Sequence, residues 1–436
     1  MNTIKLKIKH FGPVEDGFLE DDGYMNIPKV TLFCGPQGSG KSTIAKVLSS
    51  LMWLEKAAEF WGWKSEPIKI DDEFLFLDLL KWHGLASYFR SDMEISYRGS
   101  YLTLDYVNRS LILSARKSTS APYIRPKIMY VPAERNFLNL LDSNSKLLPR
   151  PLRTLHDEFR VAQEQLKQRK RYHIPVNGYN YVYDEKEQDY YIENEHSKDS
   201  GVKTPLVEAS SGLQSVLPLL LITDNLLRVV QNPPAKIDVT SLVVTENPFI
   251  YRSHNPDGSD ALFYTGTGKE VAMESWLRSL VNKSSHFVNI VEEPEQNLFP
   301  PTQRAVIRHL LMVNNAILKN RLIISTHSPY VVADLVASVK ADYLFNKVSG
   351  IRSEKEKGKI LELLDKCYPL NSLVCSDKVC LYETSYDGTI SRSRSNSIIP
   401  DNNFLNKHLV LGKMLLEELD NIDDMIDCSM RFNGVV

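Results

Sequence analysis

The 436 residues leave room for two or three structural units at roughly 100–200 residues each. Apolar residues at 43% and charged residues at 24% suit a globular chain and exclude collagen-like and fully disordered classes. The net charge of −2 supplies no global field, so an anionic partner would have to use a local basic patch.

Taken in chain order, Ile4, Leu6 and Ile8 alternate with lysines, the pattern of a half-buried edge strand, and Phe11-Gly12-Pro13 ends it. Val30 to Cys34 is apolar without alternation, as expected of a strand covered on both faces. It runs into Gly35-Pro36-Gln37-Gly38-Ser39-Gly40-Lys41-Ser42, after which Ile44, Ala45, Val47, Leu48, Leu51 and Met52 fall at helical spacing. A helical pattern continues from about Trp53 to Phe89, and residues 93–115 read as an antiparallel meander. Ile128 to Val131 is a further buried strand ended by Pro132. Between about 139 and 205 a basic helical stretch and a tyrosine-rich hairpin read as an arm. Ser210-Ser211-Gly212 opens an apolar helix to about Val230, and residues 231–270 are loop-rich. Phe287–Val291 and Arg321–Ser325 are buried-type strands separated by a helix after Pro301. A hairpin from Val379 to Ile390 and a helix from Leu405 to Asp420 follow.

The strand, glycine-rich loop and helix around Gly35 to Ser42 match G-x-x-x-x-G-K-S in the context that a phosphate loop requires. Glycines permit positive φ, so the amides of residues 38–43 can converge at a helix N-terminus, where the dipole favours phosphate. Lys41 is placed to reach the β- and γ-phosphates, and Ser42 to hold Mg²⁺. The strand ending at Glu292-Glu293 puts carboxylates at a sheet edge: Glu292 for Mg²⁺ through water, and Glu293 to deprotonate an attacking water. Alone, Glu-Glu-Pro-Glu is a solvated turn; the phosphate loop is what favours catalysis. His327, at the end of another buried strand, could sense the γ-phosphate, against the plain alternative of a structural histidine. Ser210, Ser211, Gly212 and Gln214 at a helix start form an ordinary N-cap that doubles as a second anion site.

In that order, GPQGSGKST, SSGLQS, NIVEEPEQNLFPP and ISTHSPY resemble the ABC-type ATPases of the SMC-like and overcoming-lysogenization-defect clan, over residues 1 to about 335. The resemblance implies an α/β ABC-ATPase head: a mixed, mainly parallel P-loop sheet flanked by helices, an antiparallel β subdomain and a helical and hairpin insertion. It implies a Walker A at Gly35, Pro36, Gln37, Gly38, Ser39, Gly40, Lys41, Ser42 and Thr43, a signature at Ser210–Gln214, and a Walker B at Glu292 and Glu293. A D-loop would lie near Asn297–Pro300, with His327 as the switch histidine. ATP with Mg²⁺ would bind between two copies, so a homo-oligomer of at least two is implied. The signature reads SSGLQ where LSGGQ is usual, and the metal ligand is Glu where Asp is usual. Where a Q-loop glutamine is expected stands Glu134, in Tyr130 to Asn136, which could join the metal or water network or form a structural turn. Within the clan, the short head and small insertion are most similar to ATPase subunits of the prokaryotic antiphage systems PARIS and Septu. Those commonly hold a separate toxic effector, often a nuclease.

Residues 1–335 thus read as one ATPase head interrupted at 53–125 and 139–205, with 336–436 as an appendage. The acidic run Asp420, Asp423, Asp424 and Asp427 has helical spacing and reads as a solvated face, so any effector nuclease would be another polypeptide. Lys146 to Arg171 carries a local charge of +5, a candidate surface for nucleic acid or an acidic viral trigger protein, or simply a solvated helix. Cys34, Cys367, Cys375, Cys380 and Cys428 show no C-x-x-C pair and read as free thiols. The N-terminus lacks a signal-peptide core, and the longest apolar stretch, Val216 to Leu227, is too short to span a bilayer. The expectation is a cytoplasmic protein without a membrane partner. Two further functions fit the motifs: a DNA-repair ATPase that clamps duplex ends, and a scaffold that assembles on ATP with little turnover.

Overall fold

The computed structural model describes residues 4–60, 68–69, 80–116, 123–140, 150–176, 178–195, 203–232, 250–254, 260–264, 284–393 and 410–432. The first segment holds strands β1 (Ile4–Lys9), β2 (Gly17–Phe18), β3 (Met25–Ile27) and β4 (Val30–Cys34), and helix α1 (Lys41–Phe60). Next come β5 (Ile68–Lys69), β6 (Glu94–Arg98), β7 (Leu102–Val107), β8 (Ser110–Ala115) and β9 (Lys127–Val131). Helix α2 (Arg150–Arg169) leads into β10 (Arg171–Ile174), β11 (Tyr179–Asp184), β12 (Asp189–Asn194) and β13 (Lys203–Pro205). Helix α3 (Ser211–Gln231) precedes a hairpin of β14 (Ile250–His254) and β15 (Asp260–Tyr264). Then follow β16 (Phe287–Glu292), α4 (Pro300–Asn315), β17 (Arg321–Thr326), α5 (Pro329–Val348), α6 (Glu354–Cys367), β18 (Val379–Thr384), β19 (Thr389–Arg392) and α7 (Val410–Phe432).

The chain is a mixed α/β fold around a seven-stranded sheet in the order β2-β19-β18-β4-β17-β16-β9. Strands β18, β4, β17, β16 and β9 run parallel. The near-continuous burial of β4, β9, β16 and β17 places them in the sheet interior, covered on both faces. Phe33, Tyr130, Val288, Ile290, Ile323 and Tyr382 pack with α1 and a second sheet. Leu32, Val131, Val291, Leu322 and Ile324 pack with α2, α3 and α4. Alternation along each strand divides the two cores, because successive side chains point to opposite faces.

The second sheet is antiparallel, in the order β3-β1-β6-β7-β8-β5. Strand β1 is half-buried as its alternation predicts, yet it lies between β3 and β6 instead of at an edge. Fully buried Glu55 of α1 ties this sheet to the glycine loop's helix: Tyr97 Oη and the amides of Tyr101 and Leu102 donate to its carboxylate. Of the helix expected from Trp53 to Phe89, the described residues show α1 ending at Phe60, helical residues at 80–82 and a 3-10 turn at Ala86–Tyr88, and 61–67 and 70–79 lie outside them.

Three other expectations change. The hairpin that the sequence sets apart in an appendage is part of the central sheet, with β18 paired along the whole of β4. Helix α3 has 21 residues, long and apolar enough to cross a bilayer by length and composition; what marks it as a core helix is burial of 72% of its most apolar window. Asp420, Asp423 and Asp427 are not merely solvated, since they pair with Lys340 and Lys347 of α5.

Candidate nucleotide site

Parallel pairing fixes what meets at the carboxyl edge of the central sheet. Cys34 pairs with Thr326 and Glu383, and Glu292 with Ser325. Gly35, Glu293 and His327, each the residue that follows a strand end, and Thr384, the last residue of β18, are therefore brought to one edge about 4.8 Å per strand apart.

The glycine loop has the conformation that its composition predicts, with φ of 144° at Gly35, 78° at Gly38 and 95° at Gly40. At Gly35 close approach also demands glycine, because a Cβ would lie 2.2 Å from Thr384 O. Ser39 and Lys41 are buried at 3% and 4% exposure, as is Thr43 at 5%. Lys41 Nζ donates to Gly35 O at 3.0 Å, Pro36 O at 2.6 Å and Ser39 Oγ at 3.4 Å. The cation is thus folded onto its own loop, and burial pushes its pKa down to about 8. Pro36 and Gln37 form the outer turn, and Ser39 N bonds back to Pro36 O.

The Glu-Glu-Pro-Glu segment splits into three distinct carboxylates. Glu292 is 2% exposed, and its Oε1 has no hydrogen-bond partner. The Tyr130 and Ser42 hydroxyls both face the carboxylate and favour its charged form, and the Tyr130 hydroxyl closes no bond of good geometry. Burial raises its pKa, and Glu134 adds to the rise while Lys46 opposes it. A buried carboxylate with an orphaned oxygen beside a serine hydroxyl is a donor set that fits a divalent cation.

Glu293 has the opposite character. Its Oε1 pairs with His327 Nε2 at 3.1 Å, and this bond foremost, with the charges of His327, Arg135 and Lys41, holds its pKa below the ordinary value against the effect of burial. Both side chains are 32% exposed, so the pair is open to water and contributes little to stability, about 0–1 kcal/mol. Its backbone sits at φ 43°, unusual for a residue with a Cβ. His327 Nδ1 lies 3.2 Å from Gly35 O, so the imidazole bridges the glycine loop and Glu293.

Glu295, to which sequence reasoning assigned no role, anchors the histidine loop. Its Oε1 accepts from Thr326 Oγ1 at 2.7 Å, His327 N at 2.8 Å and Ser328 N at 3.1 Å. Thr384 was missed too: it is fully buried, its hydroxyl lies 2.5 Å from Ser39 Oγ and donates to Cys34 O at 3.2 Å. The signal for Glu295 is present in the acidic run; that for Thr384 is absent, since it lies 345 residues from Ser39.

Glu134 begins a 3-10 turn after β9 and is exposed. It shares a cleft of about 380 Å³ with Lys46, Tyr130 and Pro132, close enough to Glu292 to raise its pKa. The next residue, Arg135, is completely buried. At α3, Ser210 Oγ accepts from Leu213 N as an N-cap. Gln214 Nε2 donates to Val207 O and Ala209 O, and Ser211 starts the helix. Gly212 abuts the segment after Glu295, where a Cβ would lie 2.9 Å from Asn297 O.

The basic arm is less exposed in charge than its count predicts. Lys167 pairs with Glu164, Lys170 with Glu185 and Arg171 with Glu193. Lys127 reaches Glu158 of α2 as well.

No protein-family model and no curated protein matches the sequence. Among solved structures the chain is similar to an SMC head domain from Thermotoga maritima, at 11% identity over 77% of this chain and 92% of that one, with a TM-score of 0.34. It is also similar to an SMC head bound to the C-terminal winged-helix domain of ScpA, at 10% identity over 90% of this chain and 96% of that one, with a TM-score of 0.32. Likeness this loose assigns neither a family nor an activity.

Proposed function

We propose that the chain is an ABC-type ATPase that hydrolyses ATP to ADP and phosphate. The observation that carries this reading is the convergence of Lys41, Ser42, Glu292, Glu293 and His327 at one sheet edge, from segments 250 residues apart, with three different carboxylate environments. Amides and Lys41 of the glycine loop would bind the phosphates, Lys41 exchanging loop carbonyls for phosphate oxygens. Glu292 and Ser42, with Glu134 nearby, would hold Mg²⁺, which neutralises phosphate charge when bound. Glu293, kept ionised by His327, would take the proton of the attacking water, and His327 would register the state of the loop through Gly35.

The turn at Ser210–Gln214 would complete the site of a second copy, which makes the working unit a homo-oligomer. The motif order, similar to that of antiphage ATPases, supports a cytoplasmic sensor or scaffold that gates a separate effector protein. A DNA-clamping role draws less support from the arm than its charge count suggests, since Lys167, Lys170 and Arg171 are ion-paired.

Replacing Glu293 by Gln keeps the volume and removes the base, so kcat should fall about 10²–10⁴-fold while ATP binding persists. Single-turnover ADP formation measures this. Turnover at the wild-type rate in Glu293→Gln would remove the assignment, and copurification of the product of a neighbouring gene tests the effector.

A further inference from the structure

The completely buried guanidinium of Arg135 donates to four backbone carbonyls, from three separate parts of the fold. Nε donates to Ser215 O of α3 at 3.0 Å. Nη1 donates to Glu292 O at 2.7 Å and to Pro132 O at 3.3 Å, and Nη2 to Glu293 O at 2.6 Å. A cation without a bidentate carboxylate partner is costly to bury, and carbonyl dipoles with nearby carboxylates are what offset that cost.

Two of these bonds bear on residue 293. Its positive φ is strained for a residue with a Cβ and persists only where neighbours over-determine it. They do: Glu293 N donates to Ser325 O at 2.8 Å, and Glu293 O is held by Arg135. With both flanking peptide groups fixed, the direction of the Glu293 side chain is fixed as well. The Nε bond reaches Ser215, one helical turn beyond the Ser210 cap, and Ser215 Oγ lies 3.4 Å from Gln296 Oε1. One rigid side chain therefore spans the start of α3 and the backbone that aims Glu293.

We infer that Arg135 is a positioning residue that couples the start of α3 to the orientation of Glu293, so that docking of α3 against another copy's nucleotide adjusts the base. This rests on the ATPase reading above. A strut needed only for folding would lower ATP binding, turnover and melting temperature together; a positioning residue separates them.

The test uses the full chain with Arg135→Lys, which keeps the buried cation but not the fork, and Arg135→Gln. In Arg135→Lys the KM and the affinity for ATP should stay within about twofold of wild type. Its kcat should drop about tenfold or more, since misplacing a catalytic group by about 1 Å costs up to about 10²-fold. In a Glu293→Gln background, Arg135→Lys should add no further loss to the residual rate. Wild-type kcat in Arg135→Lys, parallel losses of affinity and kcat, or full additivity with Glu293→Gln would each overturn the coupling while leaving the ATPase reading intact. If Arg135→Gln does not fold, Arg135→Lys alone decides. A wild-type chain that binds ATP without turning it over would overturn the ATPase reading and this inference with it.

Discussion

Lys41 is held by two carbonyls and a hydroxyl of its own loop, so nucleotide has to displace these contacts while the lysine gains phosphate oxygens. Burial has already depressed its pKa to about 8. Phosphate favours the charged form, so ATP binding should raise that pKa. Below pH 8 the lysine is charged in both states and affinity is flat. Above pH 8 the free protein must take up a proton, and affinity should fall by up to about tenfold per pH unit. Fluorescence titration of an ATP analogue from pH 7 to 9.5 checks this; constant affinity over that range would rule out Lys41 as the phosphate ligand. At this scale the motif residues were legible, because G-x-x-x-x-G-K-S and the carboxylates after an apolar strand are local patterns. Arg135 was not: its partners at Ser215, Glu292 and Glu293 lie 80 to 158 residues away.

Strand β18 shows what element-level patterning misses. Its burial alternates, as does that of an exposed hairpin packed on one face, and nothing in Val379 to Thr384 announces the all-buried β4 as its neighbour. Side-chain packing makes the pairing specific. Tyr382 is fully buried, stacks on Phe33 at 5.6 Å between centroids and meets Phe18 edge-on at 5.4 Å. Its hydroxyl donates to Asn26 O at 3.0 Å and accepts from Asn26 N at 2.7 Å. Tyr382→Ala should cost about 3–5 kcal/mol, read from the midpoint of urea unfolding. A cost below about 1 kcal/mol would show that the hairpin can detach from the core sheet. At Thr384, removing the hydroxyl as Thr384→Val breaks the contact with Ser39. The same change removes the bond to Cys34 O, and loss of the two, about 1 kcal/mol each, should weaken ATP binding about fivefold or more.

For the whole molecule, the α/β class and the order of the phosphate-loop, carboxylate and histidine strands followed from sequence, whereas the domain division did not. Helices α5, α6 and α7 form their own apolar cluster, yet the chain between α6 and α7 returns to the central sheet. If ATP sites are shared between copies, Glu293→Gln with ATP and Mg²⁺ should double in mass by light scattering. Adding Gly212→Ala should prevent this, since a Cβ there forces α3 away from Asn297. Doubling that survives Gly212→Ala would move the interface elsewhere.

The placement of β18 beside β4 also sets a schedule. Cys34 and Thr384 are 350 residues apart, and the glycine loop lacks one wall until both have been synthesised. At about 5–20 residues per second that interval is roughly 20–70 s of translation. Phe33, with Leu32 on the opposite face, must meanwhile remain sequestered or be shielded by chaperones. The contacts of Thr384 with Ser39 and Cys34 can therefore form only after β18 has left the ribosome.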